Sequence, residues 1–398
     1  MLNIRILQII KFSIFILLLL SVLLAIYQLP EPVAPLFTSP TQTLSSITKP
    51  TSNLDSTKHR PIFESYVIPQ PEFLDAAHSA TLEVLEDGSL LAFWFAGSHE
   101  GKPDVKIWSA KFNNGAWGMA KMSISPKMLS SLLNQYIKKV GNPVIYRDVN
   151  DRLHLFVVSV GAIGGWSGSS LNQLISYDNG LTWTVARKLI LSPFLNISTL
   201  ARTNAVDLKD GGFYLPVYNE LAGAYPELLR FNRRGEFVEQ IRMAATRILM
   251  QPSVVVQSES IGYAFMRTFT NKGDPLYMQV THDAGTTWGK PQATNLTNHN
   301  SSVAVAYLDN GQLLMVHNPG EDRSKLALSV SKDGYHWQSI TLLENTPNME
   351  FSYPAIQVHN GIIDILYTWD RKRIKHVRFN QSWLGVAIGI KHMLKLEI

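Results

Sequence analysis

The sequence predicts an all-β fold: a six-bladed β-propeller preceded by a transmembrane helix. Three observations carry that expectation. A turn motif recurs along the chain, a second hairpin of constant style precedes each copy, and one long apolar run is confined to the first 29 residues.

The apolar run comes first. Residues 12–26, FSIFILLLLSVLLAI, follow Arg5 and Lys11, and no small-x-small cleavage site succeeds Ala25. A secretory signal peptide shares the charged start and the apolar stretch, so residues 1–29 are read as an uncleaved membrane anchor, with a signal peptide as the alternative. The two basic residues on the short side predict a cytoplasmic N-terminus and a chain otherwise outside the cytoplasm, periplasmic or extracellular. Residues 30–60 are rich in Pro, Ser and Thr without hydrophobic periodicity and read as a linker.

The repeats fill residues 61–380. Ser176-Tyr-Asp178-Asn-Gly180-Leu-Thr-Trp183, Thr281-His-Asp283-Ala-Gly285-Thr-Thr-Trp288 and Ser331-Lys-Asp333-Gly334-Tyr-His-Trp337 share one plan, and Asn114-Gly115-Ala-Trp117 is an eroded copy. Each suits a turn between strands: Asp binds backbone N–H groups, Gly supplies a positive φ, and Trp anchors the loop by burial. Upstream hairpins such as Asp87-Gly88, Asp210-Gly211 and Asn310-Gly311 complete six units, near 79–117, 143–183, 203–237, 252–288, 302–337 and 354–380. About four strands per unit at this spacing is the propeller pattern. The last unit offers three strands, so Ile62–Ile68 is expected to supply its fourth and close the ring. The apolar tail 381–398 is expected to dock as a helix.

Composition excludes several function classes. There is no cysteine among 398 residues, so disulfides, thiolate metal sites and thiol nucleophiles are absent. Beyond residue 27 the chain carries 34 basic against 31 acidic residues, too small an excess for a nucleic-acid footprint. The eleven histidines show no metal-ligand spacing, and neither a metal nor a cofactor is expected. A monomer is expected.

The turns are Asp-box (BNR) repeats, and with six units the chain resembles the sialidase (neuraminidase) superfamily. The resemblance spans roughly residues 60–380. It extends to His78-Ser-Ala-Thr-Leu82, Glu100-Gly-Lys-Pro-Asp104-Val-Lys-Ile-Trp108, Gln251-Pro-Ser253, Glu350-Phe-Ser-Tyr353-Pro-Ala and Tyr367-Thr-Trp369-Asp-Arg371-Lys-Arg373. It implies a retaining exo-α-sialidase-type glycosidase acting on a terminal acidic sugar of a sialoside-like glycan, with Tyr in place of the usual carboxylate nucleophile. A neutral phenol is not repelled by a substrate that carries its own carboxylate.

Carried over by motif, the nucleophile position falls on Tyr353 and the acid/base position on Asp104. Two carboxylate-binding arginine positions fall on Arg267 and Arg323. The third aligns with His78, with Arg60 as an upstream substitute, and the acid that should activate the tyrosine aligns with Gln251. Gln can hold a phenol but cannot take its proton. Glu350 and Glu100 are expected as substitute acids, Glu350 in the catalytic set. Arg202, with Asn204, opens the third unit, and Arg371 lies in the sixth; both are expected to bind substrate. Tyr218-Asn219-Glu220 ends a strand where pocket residues are expected, and Trp166 is expected on the pocket rim. The two departures, His78 and Gln251, leave a second class of function open: a non-catalytic carbohydrate-binding propeller.

Overall fold

A computed structural model describes residues 11–21, 34–39, 60–162, 164–192, 196–269 and 273–396. Pro35–Ile398 form one compact unit. Within it, six antiparallel sheets of four or five strands follow one another along the chain. The inner strands begin with Ala76–Val84, Lys139–Arg147, Leu200–Ala201, Leu249–Val256, Ala304–Tyr307 and Phe351–His359. This is a six-bladed β-propeller, its blades centred on the predicted units and extending past several of them, to Lys188, Thr297 and Asn345.

Burial explains the composition of each blade. Every residue of Leu90–Gly97, Leu153–Val160 and Ser169–Ser176 is buried. These middle strands are covered on both faces by neighbouring blades, so the first two read as near-continuous apolar runs, while the third, SSLNQLIS, pairs its buried Asn172 with Val157 and Ser159 and its Gln173 with His154. The outer strands, such as Phe237–Arg242, keep water on one side and turn polar.

The ring closes as expected. Phe63–Val67 lies antiparallel to Arg373–Asn380, pairing Phe63 with Phe379 and Val67 with Lys375. The earliest strand of the ring thereby becomes the outer strand of the last blade, which removes an open sheet edge. The tail forms a helix, Gln381–Leu396, whose Trp383 packs on Phe63 and Phe379 at ring separations of 4.6 and 4.8 Å.

The repeated turns are structural. Asp178 accepts from the backbone N–H (2.8 Å) and hydroxyl (2.6 Å) of Thr182, and Asp283 does the same with Thr287 at the same distances. Gly180, Gly285 and Gly334 adopt φ of 82°, 86° and 79°, as the turn requires. Trp288 and Trp337 donate from Nε1 to the carbonyls of Gly285 (3.1 Å) and Gly334 (2.7 Å). Each turn joins the third and fourth strands of its blade, the end where the first and second strands also meet.

Three features depart from expectation. A helix, Pro126–Leu133, leads from blade one to blade two, capped by Ser125, whose side chain accepts from Met128 N–H at 3.1 Å. Its eight residues are too few for a helical period to stand out in the sequence. The linker is not free throughout: Phe37 is fully buried between blades three and four and bridges to Leu208, while residues 40–59 lie outside the described residues. Residues 11–21 are helical and exposed, and the rest of the expected anchor, 1–10 and 22–29, lies outside the described residues. No helix among the described residues is long and apolar enough to cross a membrane.

Candidate functional site

The inner strands share one irregularity that builds the site. In blades one, two, four and six the pairing register slips where the strand opens, at 78–81, 141–144, 250–253 and 352–355. The residue at each slip, Ser79, Asn142, Gln251 or Tyr353, has a left-handed φ of 59°, 38°, 53° or 54°. Non-glycine residues avoid this region, and such strain persists where the surrounding fold over-determines it. Pro143, Pro252 and Pro354 follow three of these residues, at bulge positions where a missing N–H costs no ladder bond. In blade three the inner strand is interrupted outright between Ala201 and Val206, and Arg202 occupies the gap.

Tyr353 lies at the centre. Gln251 Nε2 donates to its hydroxyl at 3.4 Å and to the Tyr218 hydroxyl at 3.1 Å. The His78 ring packs against it at 4.3 Å. Three guanidinium carbons surround its ring: Arg202 at 5.0 Å, Arg323 at 5.6 Å and Arg267 at 5.9 Å. Asn300, opening blade five, joins two of them: its Oδ1 accepts from Arg267 at 2.8 Å and its carbonyl from Arg323 at 2.9 Å. Arg371 pairs with Glu100 and, through Nε at 2.8 Å, with Glu350, which also accepts from Arg323 at 3.0 Å.

The charges set the chemistry. Burial opposes ionisation of the Tyr353 phenol, yet Arg267 and Arg323, with the Gln251 amide, hold it below its ordinary value. Burial, with four arginines nearby, pushes the His78 imidazole well below its usual range. Burial raises Glu350, but Arg371, Ser352 and Arg323 outweigh it and keep the carboxylate ionised. A cavity of about 610 Å³ opens beside these groups, lined by Asn300, Arg323, Glu350 and Arg371 among others. Together they form a charged basin, with Asp322 and Asp370 also on its wall, next to the Tyr353 phenol.

The model of the BNR repeat-like domain matches residues 88–365. The chain belongs to the BNR repeat-like family. Solved structures similar to it share the fold at low identity. A protein of unknown function from Dyadobacter fermentans is 14% identical with a TM-score of 0.66, covering 81% of this chain and 98% of its own. A Hadza microbial sialidase, Hz136, is 16% identical with a TM-score of 0.66, covering 77% of this chain and 66% of its own. Trypanosoma rangeli sialidase in complex with the inhibitor DANA is 13% identical with a TM-score of 0.62, covering 85% and 62%. No curated protein sequence matches the chain. The fold is that of the sialidase-like BNR propeller superfamily.

In this BNR repeat-like propeller, Gln251, Arg267 and Arg323 surround Tyr353, Arg371 joins them through Glu350, and several other residues lie elsewhere. His78 faces Tyr353 but is buried and held neutral, so it cannot stand in for a missing guanidinium. Arg60 lies three residues before the outer strand of blade six, where Asn380 donates to its carbonyl, remote from the axis. Glu350 and Glu100 are committed to Arg371, and among the described residues no hydrogen bond joins either acid to Tyr353. Arg202 is fully buried and bonds the carbonyls of Ala80 (3.3 Å) and Pro354 (3.0 Å), beneath the basin and out of reach of a ligand.

Asp104 is exposed in its loop, accepting from Ser98 N–H at 2.7 Å and Oγ at 2.9 Å. Burial raises its carboxyl slightly, but the Ser98 bonds prevail and hold it below the usual value. No contact among the described residues links Asp104 to Tyr353. Trp166 is half-buried and lies over Gly141, where a Cβ would come within 2.6 Å of its ring. Sequence reasoning missed Asn300. It precedes the blade-five strand Ala304–Tyr307 with a left-handed φ of 41°, outside any motif that the sequence repeats.

Proposed function

We propose that the Tyr353 basin binds a terminal carboxylate-bearing sugar of an acidic, sialoside-like glycan, and that an N-terminal anchor holds the propeller outside the cytoplasm. The observation that carries this reading is the convergence of Arg267 and Arg323 on one asparagine beside Tyr353. Two guanidiniums held at one point offer charge-assisted, bidentate recognition of a carboxylate. Binding is favoured over turnover because Gln251 stands where a proton acceptor is needed and Asp104 is held ionised, the wrong state for protonating a leaving group. Calorimetry of the detergent-solubilised full chain with sialic acid tests it. Saturable binding that the uncharged methyl ester abolishes is expected, and equal affinity for acid and ester refutes it.

A second reading, exo-α-sialidase-type hydrolysis, is favoured by the eased ionisation of the Tyr353 phenol between Arg267 and Arg323. In it the Tyr353 phenolate attacks the anomeric carbon and the glycosidic bond breaks, as the protonated form of Asp104 gives its proton to the departing oxygen. Water activated by Asp104 then releases the sugar with retained configuration. Sugar release from a sialoside that Tyr353→Phe abolishes would establish this reading over simple binding.

A further inference from the structure

Arg202 is the more deeply buried of two arginines enclosed beside Tyr353, 2% exposed against 8% for Arg267. Its Nη atoms donate to backbone carbonyls on blades one and six, and its Nε has no partner. Among the described residues it forms no ion pair. A buried cation without a counter-anion is costly, and such groups are retained where they do something. The anionic form of one neighbour would supply the missing charge: Tyr353, whose ring lies 5.0 Å from the guanidinium.

Charge accounting around the phenol points the same way. Arg267 and Arg323 flank it, and Arg371 completes the basin; Glu100 and Glu350 oppose them. Those five carry one excess positive charge next to the phenol, while Asp322 and Asp370, the latter paired with Lys372, add negative charge on the outer wall of the cavity. His78, Gln251 and Tyr218, the other groups facing Tyr353, are neutral, and burial favours the neutral form of Glu220 further out. Once a ligand carboxylate occupies Arg267 and Arg323, their field at the phenol is offset. Arg202, sealed beneath the basin, is the charge a ligand cannot reach.

We propose that Arg202 is the resident counter-cation of Tyr353, a positioning residue that lets the phenol carry negative charge while a ligand carboxylate occupies Arg267 and Arg323. It lowers the cost of the phenolate by direct attraction, a different route from the proton acceptance that an activating carboxylate would supply. This rests on the acidic-sugar reading only for the liganded state, since the ligand-free state is testable alone. Burial lowers the Arg202 guanidinium to about 10, against the opposing pull of the Tyr353 and Tyr218 phenols, so it remains charged throughout the neutral range.

The test is a pH titration of full-length protein labelled at the tyrosine ζ-carbon, followed by carbon NMR, with Tyr353→Phe identifying the resonance. The wild-type Tyr353 midpoint is expected below the value of about 10 for free tyrosine. Arg202→Met should raise it by about one pH unit or more, and Arg202→Lys should restore most of the difference, which a merely structural role would not do. With saturating sialic acid the wild-type midpoint should stay below that of Arg202→Met. A midpoint unmoved by Arg202→Met overturns the proposal. If that variant does not fold, a wild-type midpoint at or above that of free tyrosine overturns it, and a lower one that Arg202→Lys retains supports it. Failure of sialic acid to bind refutes the acidic-sugar reading instead and leaves the ligand-free comparison to decide.

Discussion

Gln251 and Tyr353 meet at the axis of the ring through two strained inner-strand bulges, with the Gln251 amide 3.4 Å from the Tyr353 hydroxyl. An amide there orients the phenol but cannot accept its proton in a reaction. Gln251→Glu therefore supplies the missing acceptor at conserved geometry. Sialoside hydrolysis by this variant should exceed that of the wild type by about 100-fold or more, the lower end of the usual range for a positioned general base. The gain should vanish in the Gln251→Glu, Tyr353→Phe double variant. A single variant no more active than wild type would show that more than the base is lacking.

Arg267 and Arg323 should carry most of the affinity for a carboxylate. Replacing either by Ala removes a charge-assisted bond worth about 1.5–3 kcal/mol, or roughly 10- to 150-fold in Kd. Calorimetry with sialic acid reads this directly. Asn300→Ala should weaken binding less, because it loosens both guanidiniums without removing a charge.

How far the sequence foretold this site depended on the kind of information each residue carries. The turns around Asp178, Asp283 and Asp333 were legible because their bonds are local, spanning two to four residues. Closure by Phe63–Val67 followed from strand arithmetic. Arg202 looked like a ligand-binding residue because motif position fixes which blade it opens, not how deep its side chain lies. Glu350 looked like a spare base because its neighbour in sequence is Tyr353, whereas its partners Arg323 and Arg371 come from other loops. Such long-range pairings are set by the assembled ring.

Stability should vary with pH through Glu83, at the end of the channel opposite Tyr353. Burial raises its carboxyl from 4.5 to about 7 against the pull of Arg147 and two backbone N–H groups. A folded-state value above the unfolded one means the group favours folding only while protonated. Its contribution is full below pH 4.5 and is lost as pH rises to about 7. Glu83 also lines an open cavity of about 400 Å³, so solvent reduces the effect below the full linkage value. Asp207 beside it, raised chiefly by burial, acts in the same direction. Glu83→Gln should leave Tm unchanged near pH 4.5 and raise it at pH 8; an unchanged Tm at pH 8 would count against a buried carboxylate here.

Phe37 gives the segment before the ring a structural role that its composition conceals. Its ring is fully buried edge-on to Tyr214, 6.3 Å between centroids, against the glycines at 262 and 285. Its N–H donates to the Glu259 carbonyl at 2.8 Å, Thr38 N–H donates to Asp207 at 3.0 Å, and Lys209 N–H donates to Leu36 at 2.9 Å. Those three bonds tie the segment to two blades at the end opposite the basin. Phe37→Ala removes a large buried ring that neighbours cannot replace, so it should cost about 3–5 kcal/mol. Phe37→Leu should recover most of that by keeping the site filled. Denaturant unfolding reads both values. Affinity for sialic acid should be unchanged in either folded variant, because the strap and the Tyr353 basin lie at opposite ends of the strands.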